Sequence, residues 1–225
     1  MAEDAPLVID LTGRYPSVRF VEGNTTKYCG FSLLESPTKK VSGEVGGRGR
    51  VGMKLQGKKL AILAEDLYQD LELWYPLLRM REEGAEVTVV GTEAQITYKS
   101  KAGYPVTSEV ASREVKAADY DGVIIPGGYA PDLMRRHEAT LTLVRDAFSQ
   151  GKVVAAICHA GWVLASAGIL KGRRVTSVSA IRDDLVNAGA TFEDAEVVVD
   201  GRLITSRKPD DLPAFCREII RALSR

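Results

Sequence analysis

Residues 153–170, VVAAICHAGWVLASAGIL, carry no formal charge and are about as long as the shortest membrane-spanning helix. Their internal pattern nevertheless indicates a different structure. The run is apolar and rich in β-branched residues through Ile157, and Cys158 and His159 follow. From Gly161 onward the apolar residues recur at helical spacing. The sequence therefore predicts a buried strand, a sharp turn that carries Cys158, and a helix.

Cys158 is the first candidate for chemistry. A thiol on such a turn lies at the carboxyl edge of a parallel sheet and faces the positive end of a helix dipole, and both features favour the thiolate. The arrangement is that of a nucleophile elbow with Cys in place of Ser. A buried structural cysteine is the alternative, but the strand end and the adjacent His159 favour a reactive thiol. His159 can serve Cys158 only if the turn is sharp, and the group that would orient its ring stays open.

Composition narrows the possible partners. Lys plus Arg equals Asp plus Glu, 30 against 30, so no global field recruits nucleic acid or a membrane surface. Small molecules and further copies of the chain are the expected partners. Three cysteines without paired spacing and two histidines predict neither a disulfide framework nor a metal site, and no cofactor motif follows any strand. The acidic N-terminus lacks a secretory pattern, so we expect a cytoplasmic protein.

The chain divides into an N-terminal extension, residues 1–57, and a regular domain, residues 58–225. Short strands are predicted in the extension over residues 7–11 and 28–34. Residues 39–59 contain six glycines and seven basic residues against one acid. A solvated linker is the first interpretation of this segment; an arm that packs on a neighbouring subunit and an anion-binding tail are the others.

Strands and helices alternate in the domain, which predicts an α/β fold: a flavodoxin-like three-layer sandwich with a mostly parallel sheet, preceded by the extension. A helix is predicted from Asp70, with Leu71, Trp74 and Leu78 on its apolar face and Gly84 at its end. The predicted strands cover residues 59–64, 87–90, 122–125, 153–157, 197–199 and 203–205, and further helices cover 138–150, 183–188 and about 212–223.

Two other segments should meet Cys158, because ligands in open α/β sheets bind outside the carboxyl ends of the strands. Glu72 lies among apolar residues, where a carboxylate is costly to bury unless it is paired or protonated. Gly127 and Gly128 follow a strand, and they form either a plain tight turn or a backbone that donates N–H groups to an oxyanion. Cys216, on the apolar face of the last helix, is predicted to be part of the core.

Five blocks of the domain carry a family resemblance. They are AILAEDLYQDLELWYPLLRMREEGAEV, YDGVIIPGGYAPD, AAICHAGWVLASAGILKGRRVTS, IRDDLVNAGA and AEVVVDGRLITSR. Along its whole length the domain resembles the PfpI-like branch of the ThiJ/PfpI superfamily, which comprises intracellular proteases and deglycases with the class I glutamine amidotransferase-like fold.

The resemblance implies a catalytic role for several residues. Cys158 matches the family nucleophile, His159 its adjacent partner, and Glu72 the glutamate that hydrogen-bonds the cysteine sulfur. Gly128 and the backbone amide of His159 resemble the oxyanion hole. Asp132 stands where PfpI-type members place a glutamate that reaches the His of a neighbouring subunit. The family thereby implies a homo-oligomer, dimeric or hexameric.

Three positions depart from the family pattern around the pocket. Gln69 stands where many relatives carry a further acid, Trp162 belongs to CHAGW in place of the commoner CHGP, and Val178 replaces a tyrosine that lines the site. The resemblance implies a cysteine-dependent enzyme, a hydrolase or lyase acting on small carbonyl compounds or glycated amines in the manner of a deglycase or glyoxalase. The alternatives are a redox-sensing or stress-response protein with an oxidisable cysteine, and an intracellular cysteine peptidase.

Overall fold

A computed structural model of the chain describes residues 8–10, 17–22, 25–29 and 53–224. The chain forms two compact units, Met1–Gly49 and Arg50–Arg225. In the first unit, β1 (Val8–Asp10), β2 (Ser17–Glu22) and β3 (Thr25–Cys29) form an antiparallel sheet in that order. β3 overlaps only the first two residues of the strand predicted over 28–34. Residues 30–34, and residues 39–52 of the predicted linker, lie outside the described part.

The second unit alternates strands and helices. Its strands are β4 (Lys59–Ala64), β5 (Glu86–Gly91), β6 (Thr97–Lys99), β7 (Pro105–Thr107), β8 (Val110–Ala111), β9 (Gly122–Ile125), β10 (Val153–Ile157), β11 (Arg174–Val175), β12 (Thr191–Phe192), β13 (Val197–Asp200) and β14 (Leu203–Ser206). Its helices are α1 (Asp70–Glu82), α2 (Ala130–Met134), α3 (Glu138–Ser149), α4 (Gly161–Ser166), α5 (Arg182–Asn187) and α6 (Leu212–Leu223).

Seven strands form the central sheet in the order β13-β14-β10-β9-β4-β5-β8, and all neighbouring pairs are parallel except β13 with β14. The order of β5, β4, β9, β10 and β14 is the 2-1-3-4-5 order of flavodoxin-like folds. α1 and α6 pack together on one face, and α3 and α4 cover the other. The predicted fold class is therefore confirmed.

The apolar run that suggested a membrane span divides into β10, a 3₁₀ turn and α4. β10 is buried along its whole length, since it pairs with β9 on one side and β14 on the other. This double burial explains its continuous apolar sequence. Within the described residues, no helix has both the length and the apolar character needed to cross a bilayer.

The order of the sheet determines where a ligand can bind. The chain moves from β4 to β5 on one side and later returns to place β9 on the other side of β4. The carboxyl ends of β4 and β9 consequently open a crevice between the loops that follow them. β10 lies next to β9, in register from Val153 opposite Gly122 to Ala156 opposite Ile125, so the elbow reaches the same edge.

The apolar face predicted for α1 is wrong at two of its three residues, since only Trp74 packs against the core. Leu71 and Leu78 are 54% and 58% exposed, whereas Leu73 and Leu77 are buried. Glu72 is buried on the same side as these two leucines. The sequence placed Glu72 among apolar residues but did not select the buried side of the helix, because apolar residues occur all around it.

This arrangement predicts unequal effects of two adjacent truncations. Leu77→Ala removes a buried side chain from the core and should lower the free energy of unfolding by about 2–5 kcal/mol. Leu78→Ala removes a side chain that is already largely in water, and its effect should stay within about 0.5 kcal/mol. Chemical denaturation of both variants measures the difference, and equal losses would contradict the observed orientation of α1.

Candidate active site

The turn after β10 is sharp at Cys158. Ile157 is extended, and Cys158 has φ of +60°, in the left-handed region that residues with a Cβ rarely adopt. Cys158 begins a 3₁₀ turn that leads directly into α4. The turn brings the Cys158 Sγ to 3.3 Å from His159 Nδ1, so adjacent residues that would diverge in a strand lie in contact. This is the geometry required for His159 to exchange a proton with the thiol.

Packing beyond the turn holds this strained backbone in place. Ala160 is fully buried, and Gly161 follows it at the start of α4. A Cβ on Gly161 would lie 3.0 Å from side-chain atoms of Ile181 and Leu185. α4 therefore packs closely against α5 and the segment before it, which leaves the turn little freedom to relax.

Glu72 lies inside the site and has no exposed surface. Its Oε2 accepts a 2.8 Å hydrogen bond from the Gly127 N–H. Within the described residues, its buried Oε1 has no hydrogen-bond partner. Burial raises the pKa of Glu72 from 4.5 to about 7, although the Gly127 amide, the Cys158 thiol and the Lys101 ammonium act in the opposite direction. Glu72 can consequently hold a proton near neutral pH.

Gly127 separates the carboxyl group from the thiol. A Cβ at this position would lie 2.5 Å from Glu72 Oε2 and 2.6 Å from the Cβ of Cys158. Its N–H is used by Glu72, so Gly127 supports the acid and does not supply the oxyanion donor that the sequence suggested. The backbone amides of Gly128 and His159 interact with the Cys158 sulfur and favour its thiolate.

The thiolate predicted from the helix dipole is not the dominant form in this structure. Burial and the neighbouring Glu72 raise the pKa of Cys158 to about 12, and the two backbone amides only partly oppose this. The dipole argument was wrong because α4 has six residues and because the sequence could not show a buried carboxylate beside the sulfur. Cys158 and Glu72 are thus coupled acids that together retain at least one proton well above neutral pH.

His159 is held between the thiol and Trp162. The two rings lie 5.0 Å apart at 58°, and the Trp162 Nε1–H donates a 2.7 Å hydrogen bond to Asp184. The guanidinium carbon of Arg135, next to α2, lies 5.8 Å from the centre of the Trp162 ring. Partial burial lowers the pKa of His159, so the imidazole is neutral near pH 7. Trp162 therefore positions a neutral base at the thiol.

Of the remaining predicted site residues in the described part of the chain, Gln69 is hydrogen-bonded to this centre, whereas Val178 and Asp132 are not. Gln69 caps α1: its Oε1 accepts a 2.8 Å hydrogen bond from the Glu72 N–H, and its own N–H donates to the Gly127 carbonyl. The sequence placed Gln69 at the mouth of the pocket and did not predict that it caps α1. Val178 is half-buried and lines a cavity of about 300 Å³ that also contains Arg182. Asp132 forms an ion pair with Arg136 of its own chain.

Two residues that contribute to the site, Tyr68 and Lys101, were not predicted from the sequence. Tyr68 forms an isolated antiparallel bridge with Gly128, which ties the turn after β4 to the loop after β9. Lys101 lowers the pKa of both Glu72 and His159 by its charge. Neither residue belongs to a chemical motif, and Lys101 lies about thirty positions from the acid it affects. Among the described residues, no group of three or more His, Cys, Asp or Glu side chains could hold a metal ion.

The raised pKa of Glu72 predicts a pH-dependent stability. Its folded-state pKa of about 7 exceeds the ordinary 4.5, so its contribution is fully present below pH 4.5 and is lost as pH rises through about 7. Glu72→Gln does not titrate. From pH 4.5 to pH 8, wild type should therefore lose about 3 kcal/mol of unfolding free energy relative to Glu72→Gln.

Glu82→Gln is the matched control, because this carboxylate is on the same helix with a side chain that is 74% exposed. The difference in unfolding free energy between Glu82→Gln and wild type should change by less than about 0.5 kcal/mol over the same pH range. Urea denaturation at several pH values measures both differences. A parallel pH dependence of wild type and Glu72→Gln would show that Glu72 titrates normally.

Comparison with known proteins agrees with this geometry. The family model described as "DJ-1/PfpI family" matches residues 58–222. "Deglycase TK1284" of Thermococcus kodakarensis is 47% identical over 166 residues, which are 73% of this chain and 99% of that protein. "Protein/nucleic acid deglycase 2" of Escherichia coli is 44% identical over 168 residues, 74% of this chain and 98% of that one.

A solved structure shows the same fold. It is a two-domain protein from Anabaena variabilis that contains DJ-1/ThiJ/PfpI-like and ferritin-like domains. The match has a TM-score of 0.73 at 42% identity, and it covers 74% of this chain and 50% of that one. With a family match that extends over most of its length, this chain belongs to the DJ-1/PfpI family.

Proposed function

We propose that this protein is a cytoplasmic cysteine-dependent enzyme that acts on small carbonyl compounds or glycated amines. The observation that carries the proposal is the Cys158 thiol, held on a strained turn against a buried carboxyl group, a neutral imidazole and two backbone amides. Relatives named deglycases support the same class of reaction. Cys158 would be the nucleophile, and His159 and Glu72 would move protons.

The first chemical step is addition of the thiol to a carbonyl carbon. The Sγ–C bond forms while the carbon–oxygen π pair moves onto oxygen, and the thiol proton passes to the neutral His159 Nδ1, which lies 3.3 Å from the sulfur. The amides of Gly128 and His159 would stabilise the new oxyanion. Return of the proton to that oxygen completes a hemithioacetal, or a hemithioketal when the carbonyl group of the substrate is a ketone.

Glu72 is suited to the second proton transfer. Because its pKa lies near 7, it is present in both protonation states at neutral pH, as a general acid–base group requires. Its unpartnered Oε1 is the oxygen on which a proton can reside while Oε2 accepts the Gly127 N–H. Protonated Glu72 would favour the thiolate. With a glycated amine as substrate, Glu72 would later donate a proton to the amine that leaves.

A second copy of the chain would complete the site. In the described residues, His159 Nε2 has no hydrogen-bond partner that would orient the ring. α2 packs against α4, so Asp132 lies on an element next to His159. If two α2 helices met across a two-fold axis, each Asp132 would face the His159 of the other chain. We infer a homo-oligomer, dimer or hexamer, built in this way.

Replacement of the nucleophile should abolish turnover. Cys158→Ala is expected to lower methylglyoxal consumption and release of amine from a glycated amine by about a thousandfold or more, because it removes the sulfur that would form the covalent adduct. Cys216→Ala is the control, since this second thiol is buried in α6 and its pKa is raised to about 12 by burial. It should keep the wild-type rates.

Full activity of Cys158→Ala on both substrates would contradict the proposal. So would a wild type that turns over neither substrate but forms a reversible sulfenate or a stable sulfinate selectively at Cys158 after mild peroxide, because that result identifies an oxidation sensor. Mass spectrometry of the Cys158 peptide distinguishes these outcomes.

The shared site predicts complementation between two inactive variants. In a dimer of Cys158→Ala with Asp132→Asn, one site has both defects and the other combines an intact Cys158 with an intact Asp132. Co-expression of the two variants should restore about a quarter of wild-type activity, since half of randomly assorted dimers are mixed and each has one intact site. The double variant in one chain should stay inactive alone.

Absence of complementation, with mixed oligomers confirmed by differently tagged chains, would show that Asp132 does not act across an interface. High activity of Asp132→Asn alone would remove Asp132 from the mechanism.

A further inference from the structure

We propose that Lys101 binds a negatively charged group, a carboxylate or phosphate, on the carbonyl compound that Cys158 attacks. The inference rests on the proposed function for the identity of the reaction, and it assigns the charge of the substrate. Lys101 is exposed and lies in the loop between β6 and β7.

The position of this loop is determined by hydrogen bonds to the turn after β4. The Lys101 N–H donates to the Tyr68 carbonyl at 2.9 Å, and the Leu67 N–H donates to the Lys99 carbonyl at 2.7 Å. Ser100 hydrogen-bonds through its hydroxyl to Asp70, the first residue of α1. The loop is thus held at Lys99, Ser100 and Lys101 to the turn and to the start of the helix that carries the buried acid.

The same turn adjoins the reacting atoms. Tyr68 bridges to Gly128, whose amide interacts with the Cys158 sulfur. Gln69, the next residue, caps the helix at Glu72. The Lys101 backbone is therefore connected to Gly128, the proposed oxyanion donor, through one hydrogen bond to Tyr68 and the bridge from Tyr68 to Gly128.

The ammonium group of Lys101 is available for a ligand. Among the ion pairs of residues 53–224, none includes Lys101. The carboxylates nearest in sequence to this turn are used elsewhere: Asp66 accepts the Lys99 N–H and Asp70 accepts the Ser100 hydroxyl. The positive charge of Lys101 also lowers the pKa of both Glu72 and His159.

Alkylation of Cys158 tests this without any need for turnover. Iodoacetate and iodoacetamide react with the same sulfur but differ by one negative charge. In Lys101→Gln, the ratio of their rate constants at Cys158, iodoacetate over iodoacetamide, should fall about fivefold at low ionic strength. Lys101→Arg should keep the wild-type ratio, and added salt should lower that ratio towards the Lys101→Gln value.

Lys99→Gln is the matched control, because Lys99 is an exposed lysine two positions away that makes only backbone hydrogen bonds to the turn. It should keep the wild-type ratio. An unchanged ratio in Lys101→Gln, or an equal fall in Lys99→Gln, would overturn the proposal. The iodoacetamide rate also reports whether Lys101→Gln still presents an intact Cys158.

Turnover then separates the two sources of negative charge. In Lys101→Gln, the KM for glyoxylate or for glyceraldehyde 3-phosphate should rise about fivefold, whereas the KM for neutral methylglyoxal should be unchanged. A rise for glyoxylate alone assigns a carboxylate, and a rise for the phosphate alone assigns a phosphate. If the alkylation ratio falls but no carbonyl compound is consumed, the anion site stands and the proposed reaction fails. Equal KM changes for charged and neutral substrates overturn the assignment.

Discussion

The contact of Glu72 and Cys158 through Gly127 is the interaction on which the rest of this structure depends. Only a residue without a Cβ fits between the two, because an added carbon would lie 2.5 Å from the carboxyl oxygen. Such close packing excludes water and raises the pKa of both acids. Burying an isolated charge costs free energy, so both groups keep their protons to higher pH than an exposed carboxylate and thiol would. The protonation of the thiol is thus a property of the packing.

The fold supplies this contact from three distant parts of the chain. β4, β9 and β10 are adjacent parallel strands, so the segments after them emerge at one edge of the sheet. Two backbone connections then fix the distances: the bridge between Tyr68 and Gly128, and the hydrogen bond from Gln69 to the Gly127 carbonyl. The helix that carries Glu72 begins at this connection, which makes the position of its side chain a consequence of backbone geometry.

The sequence predicts the framework better than the electrostatics. Strand–turn–helix patterning located the elbow, and buried strands separated by helices gave the parallel sheet, because both follow from local periodicity. The buried side of α1 was wrong, since Leu71 and Leu78 continue an apolar pattern into solvent. The prediction of a thiolate at Cys158 was wrong for a different reason. The pKa of Cys158 depends on Glu72, which lies 86 positions away in the sequence, and no local pattern shows that the two residues meet.

The exposed residues near this site are less constrained by packing than the buried ones. Gly127, Glu72 and Cys158 touch one another so closely that a change in any of them disturbs the other two. An exposed side chain such as Lys101 can change with little loss of packing, because it is in contact with water. A rim charge still reaches the reacting groups, as its effect on the pKa of Glu72 and His159 shows. An exposed charge can therefore change the protonation of Glu72 and His159 without a change in how the buried residues pack.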